Sequence, residues 1–319
     1  MMSILTFHAV TDRDWFDGLV SWLKGRCQFV PIESVAAYYA NGGCDGRSCH
    51  ITVDDGDKSF ADVIFPVLKK HSVHSSLFIS PKISAGGGNF WFQEIGGCDE
   101  ITLKQVAARV LKVPERLLSG YSPEVILKSI PLRQIEKVIN GYRETTNSLS
   151  KASLNLSASA IRQIALTGLV SIGAHTMHHP ILANEDDATC EAEIVGSVRG
   201  LMSILGRSIE YFAYPNGIPE MDFGDREEKL LRDCGINMAF TTESRNLSTS
   251  DKALRIPRIA ISNGESMPRV IAKMLLGSEW GRVKRIAGVG EYVQRGRLRR
   301  TLDGCRSLKG EGGMETVEI

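Results

Sequence analysis

The chain has 319 residues, of which 43% are hydrophobic and 24% are charged, and its formal net charge is +1. This composition is typical of a globular protein with a sizeable core, organised as one large α/β domain or two smaller ones. The near-neutral charge gives no global support for nucleic-acid binding or for an acidic partner. No apolar run approaches the roughly 20 residues that a membrane span requires.

The predicted elements begin with the strand "SILTFHAV", the helix "FDGLVSWLKGRC", the strand "HITVDD", the helix "FADVIFPVLKKHS" and the strand "SSLFIS". This βαβαβ alternation predicts parallel strands with helices outside them. Residues 96–167 are rich in helical spacing and are predicted as a helical insertion, not as an independent domain. Strands resume at "LVSIGAH", "YFAYP", "NMAFTT" and "LRIPRIAI".

The C-terminal part, residues 281–319, is predicted to be a basic extension that ends in a flexible tail. Its sequence "GRVKRIAGVGEYVQRGRLRRTL" interleaves basic and apolar residues. Two interpretations stay open for it. The basic residues form a solvated helical face, or they contact an anionic membrane surface or a partner protein.

The N-terminus and the cysteines lead us to expect a cytoplasmic protein. The start "MMSILTFHAVTDRDW" has neither the basic nor the apolar region of a signal peptide. The seven cysteines are scattered, odd in number and without CxxC spacing. This pattern argues against a disulfide framework or a zinc ribbon, and it suits a reducing compartment.

Two acidic residues follow a predicted buried strand in "ITVDDG", namely Asp54 and Asp55. They form either a solvated turn or part of a cation site. In "SIGAHTMHHPIL", His175 and His179 are four residues apart, so one helical turn or a tight loop can direct both imidazoles at one ion. One carboxylate and two imidazoles suit Zn²⁺ and leave positions for water and substrate. His178 is the alternative ligand.

Three motifs resemble those of the polysaccharide deacetylases, the NodB homology enzymes of carbohydrate esterase family four. "TVDDG" resembles TFDDG, "HTMHHP" resembles H-[ST]-x-x-H-P, and "FAYPNG" resembles R-x-P-[YF]-G. The resemblance covers roughly residues 3–265. It implies an α/β fold, a distorted and incomplete (β/α) barrel over residues 1–280 with the insertion at 96–167, and a metal at the C-terminal mouth of the strands.

The resemblance also implies roles for individual residues. Asp55, His175 and His179 would hold one divalent metal ion, with Zn²⁺ expected and Ni²⁺ or Co²⁺ as alternatives. Asp54 would be the general base that accepts a proton from the attacking water. A backbone N–H in the turn at residues 214–217, within the third motif, would help to stabilise the oxyanion. Tyr214, Pro215 and Asn216 in this turn are the candidate substrate or oxyanion residues.

Three departures from the family motifs affect these roles. The arginine of the third motif is Ala213 here, and Arg258 in "LRIPRIAI" is the predicted substitute, with a plain surface arginine as the alternative. The aromatic residue of the same motif is Asn216. No late Leu-x-His motif exists, because no histidine follows His179.

The missing late histidine makes His8 in "LTFHAV" the predicted general acid, which would protonate the leaving amine. One branch of the family, similar to the poly-N-acetylglucosamine deacetylases, carries an early Tyr-His in a comparable place. The alternative is a hydrogen-bonded core histidine. Trp91 in "GGGNFWFQEI" is predicted to stack on a sugar face, with structural packing as the alternative.

The resemblance therefore implies a metal-dependent hydrolase that removes an N-acetyl group from an amino sugar. With a cytoplasmic location, we expect a precursor of O-antigen or capsule, either a sugar nucleotide or a lipid-linked glycan. The alternatives are an N-formyl amino-sugar deformylase and a non-catalytic glycan-binding scaffold that retains the metal. Expected partners are the acylated amino sugar and, through the basic C-terminal stretch, the inner membrane or a glycan-assembly enzyme. The sequence does not indicate the oligomeric state.

Overall fold

The structure is a computed structural model that describes residues 1–43, 46–286 and 290–310. It divides into two compact units. Unit 1 contains Met1–Phe90 and Ala152–Val283, and unit 2 contains Trp91–Lys151 and the described residues from Lys284 onward. Within the described residues, no helix is both long enough and apolar enough to cross a bilayer.

Unit 1 contains a sheet of parallel strands. The part of the chain that the structure describes has eight strands: β1 (Met2–Phe7), β2 (Gln28–Phe29), β3 (Ser48–Val53), β4 (Ser75–Ile79), β5 (Val170–Ala174), β6 (Tyr211–Ala213), β7 (Met238–Phe240) and β8 (Ile259–Ala260). Their order in the sheet is β7-β6-β5-β4-β3-β1-β8, with β2 beside β3. All the paired strands are parallel, as the alternation of elements predicts.

Helices surround this sheet and also build unit 2. In chain order, the described residues contain α1 (Arg13–Lys24), α2 (Ile32–Ala40), α3 (Phe65–His71), α4 (Pro81–Gly86), α5 (Trp91–Ile95), α6 (Glu100–Leu111), α7 (Pro123–Leu127), α8 (Leu132–Thr146), α9 (Ala158–Ala165), α10 (Asp187–Leu205), α11 (Asp225–Asp233), α12 (Met267–Ile286) and α13 (Glu291–Gly310). A π-helical turn, Phe60–Ile64, leads into α3.

The central strands form where the sequence is apolar on both faces. Every residue of β1 and of β3 is buried, which is the pattern of a strand covered on both sides by helices. α1 covers one face with Phe16, Leu19 and Leu23, and Asp12 caps its first turn by accepting the N–H of Trp15. Burial of each such apolar side chain contributes roughly 1.5–3 kcal/mol to folding.

A short, irregular segment joins the two edges of the sheet. Phe240 of β7 forms an isolated parallel bridge with Ile256, and three residues later β8 pairs with β1 at Ile259. Pro257 lies between these two pairings and has no N–H to donate to a ladder. The segment therefore switches partners at Arg258, which enters the interior of unit 1.

Unit 2 differs from the predicted insertion at both ends. It begins at Trp91 and its first segment ends at Lys151, whereas 96–167 is predicted. α9 belongs to unit 1 because Ile161 and Ile164 pack in the core of the barrel. The core of unit 2 is built from α5–α8 and α13.

The predicted basic extension is also corrected in part. α13 contributes the buried side chains of Leu298 and Leu302 to the core of unit 2. Arg295 on the same helix is fully buried and donates to the carbonyl of Lys128 at 3.1 Å. α13 is therefore an integral helix of unit 2, because its apolar residues four positions apart need a partner surface. The predicted tail at 311–319 lies outside the described residues.

Candidate active site and metal centre

The adjacent aspartates follow β3 directly and point in different directions. The N–H of Asp54 continues the ladder by donating to the carbonyl of Phe7 at 3.0 Å. Asp55 and Gly56 then both adopt left-handed backbone conformations, with φ values of 70° and 72°. A side chain at position 56 would also collide with Ile79, because a Cβ there would lie 2.4 Å from its Cδ1. This sharp turn separates the two carboxylates.

The two histidines are brought together by a tight loop, not by a helical turn. The N–H of His175 donates to the carbonyl of Ile79 at 3.0 Å and so extends β5. Thr176 and His179 then both have φ near 60°. The N–H of His179 donates to Oγ1 of Thr176 at 3.0 Å, and the two imidazole centroids lie 4.8 Å apart.

Asp55, His175 and His179 form a buried cluster whose ligand atoms all lie within 4.8 Å of one another. Oδ1 of Asp55 is 3.5 Å from Nε2 of His175 and 3.7 Å from Nε2 of His179. These distances exceed those of ordinary hydrogen bonds, and the buried Oδ1 has no hydrogen-bond partner among the described atoms. Three ligands spaced in this way around an unsatisfied carboxylate oxygen fit a divalent cation between them.

The surroundings act differently on the two imidazoles: burial would lower the pKa of His175, but the carboxylates of Asp55 and Asp54 outweigh burial and raise it. Nδ1–H of His175 donates to the carbonyl of Ala213 at 2.7 Å, which leaves Nε2 as the lone-pair nitrogen facing Asp55. Burial lowers the pKa of His179 to about 3, so its imidazole is neutral. Burial would raise the pKa of Asp55, but the neighbouring imidazoles of His175, His179 and His8 hold it well below its usual range. A carboxylate and neutral imidazoles are the ligating species.

His178, the alternative ligand, is directed elsewhere. Its Nδ1–H donates to Oε1 of Glu193 at 2.7 Å, and it is not part of the cluster. The structure therefore brings together Asp55, His175 and His179, the set that the resemblance implies.

Asp54 is held by Arg258 in a buried, bidentate ion pair. Nη1 and Nη2 of Arg258 donate to the two carboxylate oxygens at 2.7 and 2.8 Å. The arginine has no exposed surface, and it also donates to the carbonyl of Thr241 and to Oγ1 of Thr52. Burial alone would raise the pKa of Asp54, but the guanidinium charge outweighs burial and lowers it. Arg258 thus lies where a substitute for the motif arginine is needed.

His8 follows β1 directly and is exposed, so it is not a core histidine. Burial would raise the pKa values of Asp54 and Asp55, and His8 is one of several groups that lower them, so its imidazole lies near both carboxylates. The following loop is anchored, because Oδ1 of Asn263 accepts the N–H groups of Thr11 and Asp12 at 3.1 and 3.2 Å. An exposed imidazole is therefore present at the edge of the site.

The turn after β6 contains one backbone donor that no described residue uses. The N–H of Tyr214 donates to the carbonyl of Phe240, Pro215 has no N–H, and that of Gly217 donates to the carbonyl of Pro215. The N–H of Asn216 remains, at a residue with φ 58°. The side chain of Asn216 is fixed by donation from Nδ2 to Asp222 at 2.5 Å.

The side chains of two candidate substrate residues, Tyr214 and Trp91, are packed in the protein interior. The ring of Tyr214 is buried, stacks on Phe223 at 3.6 Å and donates its hydroxyl to the carbonyl of Leu254. Trp91 lies in unit 2, where its indole is 5% exposed and packs edge to face on Phe92 in the apolar core. A ring buried in this way has no free face for a sugar, so packing describes both aromatic residues.

Sequence reasoning missed two buried acids that hold the site loops, Glu193 and Asp222. Asp222 accepts from Asn216 and from the N–H of Ile218. Glu193 lies on the buried face of α10, one turn before Ser197. For Glu193, a charged residue within an apolar helical stripe was the available signal, because such residues are buried mainly when they have partners.

Fold and site together define a half-barrel protein with a candidate hydrolytic centre at the carboxyl ends of its strands. Residues 134–239 match the family model described as polysaccharide deacetylase. This stretch contains the second and third motifs. This match bears out the resemblance predicted from the motifs, and over these residues the chain is similar to polysaccharide deacetylases.

Individual relatives agree with this family. The chain is 22% identical over 265 residues to the poly-β-1,6-N-acetyl-D-glucosamine N-deacetylase of Staphylococcus epidermidis, covering 80% of this chain and 69% of the relative. The Streptococcus pyogenes deacetylase PplD in complex with acetate has a TM-score of 0.58 and 17% identity, over 86% of this chain and 97% of its own. IcaB from Ammonifex degensii has a TM-score of 0.56 and 20% identity, and the match covers 85% of this chain and 96% of IcaB. These structures confirm the predicted fold class.

Proposed function

We propose that the chain is a metal-dependent N-deacetylase that acts on an amino sugar of a polysaccharide or of its precursor. The observation that carries this proposal is the buried cluster of Asp55, His175 and His179 beside an Asp54 that Arg258 holds. One carboxylate is directed at the candidate cation and its neighbour is not. This division is what a metal-assisted hydrolysis with a separate base requires.

The cluster would hold one divalent ion. Zn²⁺ suits two imidazoles and one carboxylate, and Ni²⁺ or Co²⁺ could bind the same donors. When bound, such an ion supplies a Lewis acid that polarises the acyl carbonyl and increases the acidity of water. The backbone turns at Asp55 and His179 set the three donors before the ion arrives.

The other residues of the site would move protons and stabilise charge. Asp54 accepts the proton of the attacking water at its carboxylate, while Arg258 fixes the orientation of that carboxylate. His8, exposed beside both aspartates, donates a proton to the nitrogen of the leaving amine. The N–H of Asn216 is the donor available to the carbonyl oxygen as negative charge develops there.

For the substrate we propose an N-acetylglucosamine unit of a surface polysaccharide precursor, either a sugar nucleotide or a lipid-linked glycan. The related Staphylococcus epidermidis protein is named for poly-β-1,6-N-acetylglucosamine, which supports the sugar and the acetyl group. The six cysteines that the structure describes are free thiols, which supports a reducing compartment such as the cytoplasm.

We also propose that the outer face of α13 contacts the anionic inner surface of the membrane. Arg297 and Arg300 are exposed on this helix, whereas Arg295 is buried and unavailable. Sedimentation with vesicles containing phosphatidylglycerol should fall when both exposed arginines are replaced by glutamine. Binding that persists in this variant would contradict the contact.

Acetate release from defined substrates tests the proposed function. The panel contains β-1,6-linked N-acetylglucosamine oligomers, a nucleotide-activated N-acetyl sugar and a lipid-linked N-acetyl sugar. We expect Asp54→Asn to lower the rate by at least about 100-fold, since a positioned base contributes roughly 10²–10⁴-fold. Asp57→Asn is the matched control in the same loop, because the amide oxygen can still accept the N–H of Ser59.

The outcomes separate the alternatives. Acetate released by wild type and by Asp57→Asn, but not by Asp54→Asn, supports the deacetylase. Release of formate from N-formyl sugars alone would identify a deformylase. A wild-type protein that binds the metal ion but hydrolyses no member of the panel would be a binding protein, and the proposed activity would be wrong.

A further inference from the structure

Glu193 on α10 is a buried acid that accepts three hydrogen bonds from the loop between the two histidine ligands. Its exposed fraction is 5%. Oε2 accepts the N–H groups of Met177 at 3.0 Å and His178 at 2.9 Å, and Oε1 accepts Nδ1–H of His178 at 2.7 Å. One carboxylate therefore satisfies the two consecutive backbone donors at the centre of this loop.

The loop has a conformation that needs such support. Thr176 and His179 both have φ of 60°, which side chains other than that of glycine rarely adopt. Backbone conformations of this kind persist only where the surroundings hold them in place. The hydroxyl of Thr176 makes one hydrogen bond at each end of the loop. It donates to the carbonyl of His175 and accepts the N–H of His179. The middle of the loop is held by Glu193.

The face of α10 next to Glu193 allows the loop to approach closely. A Cβ at Gly196 would lie 3.1 Å from Cγ of Met177, so the methionine side chain rests directly against the helix backbone. Gly196 is one turn beyond Glu193, and a larger residue there would push the loop away from the carboxylate. The helix therefore holds the loop by packing and by hydrogen bonds at adjacent turns.

We propose that Glu193 is a positioning residue that presets His175 and His179 for the cation. Through its hydrogen bonds it fixes the backbone of the two residues that lie between the ligands in the loop. This inference rests on the proposed function, because it concerns affinity for the metal ion. Loss of an outer residue that orients ligands typically weakens metal binding by about 10–100-fold.

Two substitutions of Glu193 separate the effect of its side-chain length from the effect of its charge. Glu193→Asp keeps the charge but retracts the carboxylate by one methylene group. Glu193→Gln keeps the reach, and its amide oxygen can still accept both backbone N–H groups while its NH₂ donates to His178 in the other tautomer. If Glu193 positions the loop, Glu193→Asp should weaken metal binding more than Glu193→Gln does. If Glu193 acts through its charge at long range, Glu193→Gln should weaken metal binding more. Glu191→Asp, at an exposed acid on the same helix, is the matched control.

Two measurements on the purified protein test the proposal. The first is the dissociation constant for Zn²⁺, determined by competition with a chelator, and the second is hydrogen exchange of the Met177 and His178 amides in metal-free protein. We expect Glu193→Asp to bind Zn²⁺ about 10–100-fold more weakly and to exchange both amides faster. Glu193→Gln and Glu191→Asp should resemble the wild type in both measurements.

Several results would overturn the proposal. They are wild-type affinity in a folded Glu193→Asp protein, greater damage from glutamine than from aspartate, or rapid exchange of the two amides in the wild type. The last result needs no variant, so a variant that fails to fold does not prevent the test. A wild type that binds no Zn²⁺ would contradict the proposed function, and amide exchange would still decide whether Glu193 holds the loop.

Discussion

Replacing Arg258 by methionine is predicted to destabilise unit 1 strongly. The substitution leaves the Asp54 carboxylate buried without its two hydrogen bonds of 2.7 and 2.8 Å. Removal of one partner from a buried ion pair costs roughly 3–5 kcal/mol, because the remaining charge is uncompensated. Both side chains are almost fully buried, so solvent screening reduces this figure little. We expect the free energy of unfolding of the metal-free protein to fall by about 3–5 kcal/mol.

Denaturant unfolding of a double-mutant cycle provides the assay. The cycle consists of the wild type, Arg258→Met, Asp54→Asn and the double variant, all in metal-free buffer. Because the double variant contains neither charge, it should be more stable than the sum of the single effects predicts, by at least about 2 kcal/mol. Arg207→Met, at an exposed arginine, is the control and should change stability by less than about 0.5 kcal/mol.

The reasoning would be refuted by two results together. The first is an Arg258→Met protein that unfolds within about 1 kcal/mol of the wild type, below the cost of breaking a buried pair. The second is a cycle in which the single effects simply add. Such results would mean that Asp54 is solvated or held by another group.

Three further predictions concern other parts of unit 1. His8→Ala should lower kcat by roughly 10²–10⁴-fold while leaving metal content and unfolding unchanged, and an unchanged kcat would exclude His8 as the acid. Gly173→Ala should destabilise the protein by about 1–3 kcal/mol, because a Cβ there would lie 2.5 Å from the Phe78 ring. A Cβ at Gly18 in α1 meets no atom within 4 Å, so Gly18→Ala should stabilise the protein. Equal effects of the two substitutions in denaturant unfolding would contradict the close contact between Gly173 and Phe78. Burial lowers the pKa of His50 to about 4, so between that pH and the ordinary histidine pKa the unfolded chain binds more protons than the folded protein. The free energy of unfolding should therefore fall by up to about 3 kcal/mol as the pH decreases from about 6.5 to 4. His50→Gln should lose that pH dependence.

The fold and the metal cluster were predictable because their signals are local. β1 and β3 are buried throughout and therefore appear as short runs of apolar and small neutral residues, with His50 as the exception. Asp55 and Gly56, like Thr176 and His179, form sharp turns at strand ends within a few residues. Ligands placed by such turns can be recognised from a short stretch of sequence.

Other features depend on residues far apart in the chain. Arg258 lies 204 positions from Asp54, so the sequence could offer it only as one of two interpretations. Tyr214 belongs to a motif, but the ring of Phe223 and the carbonyl of Leu254 hold its side chain in the core. An aromatic residue at a strand end looks the same whether it faces a substrate or the interior.

The C-terminal helix shows the same limit for a charged segment. Its many arginines suggest a solvated face, and Arg297 and Arg300 are indeed exposed. Leu298 and Leu302, however, are buried in unit 2 together with helices more than 150 residues earlier. Neither composition nor periodicity identifies such a distant partner surface.

The most direct test of the central claim is the metal content of the purified protein, wild type beside His179→Ala and His178→Ala. These neighbouring histidines differ in role, because one belongs to the cluster and the other is bound to Glu193. The account predicts about one equivalent of divalent metal in the wild type and in His178→Ala, and loss of the metal in His179→Ala. A wild type without metal, or loss of metal only in His178→Ala, would contradict it.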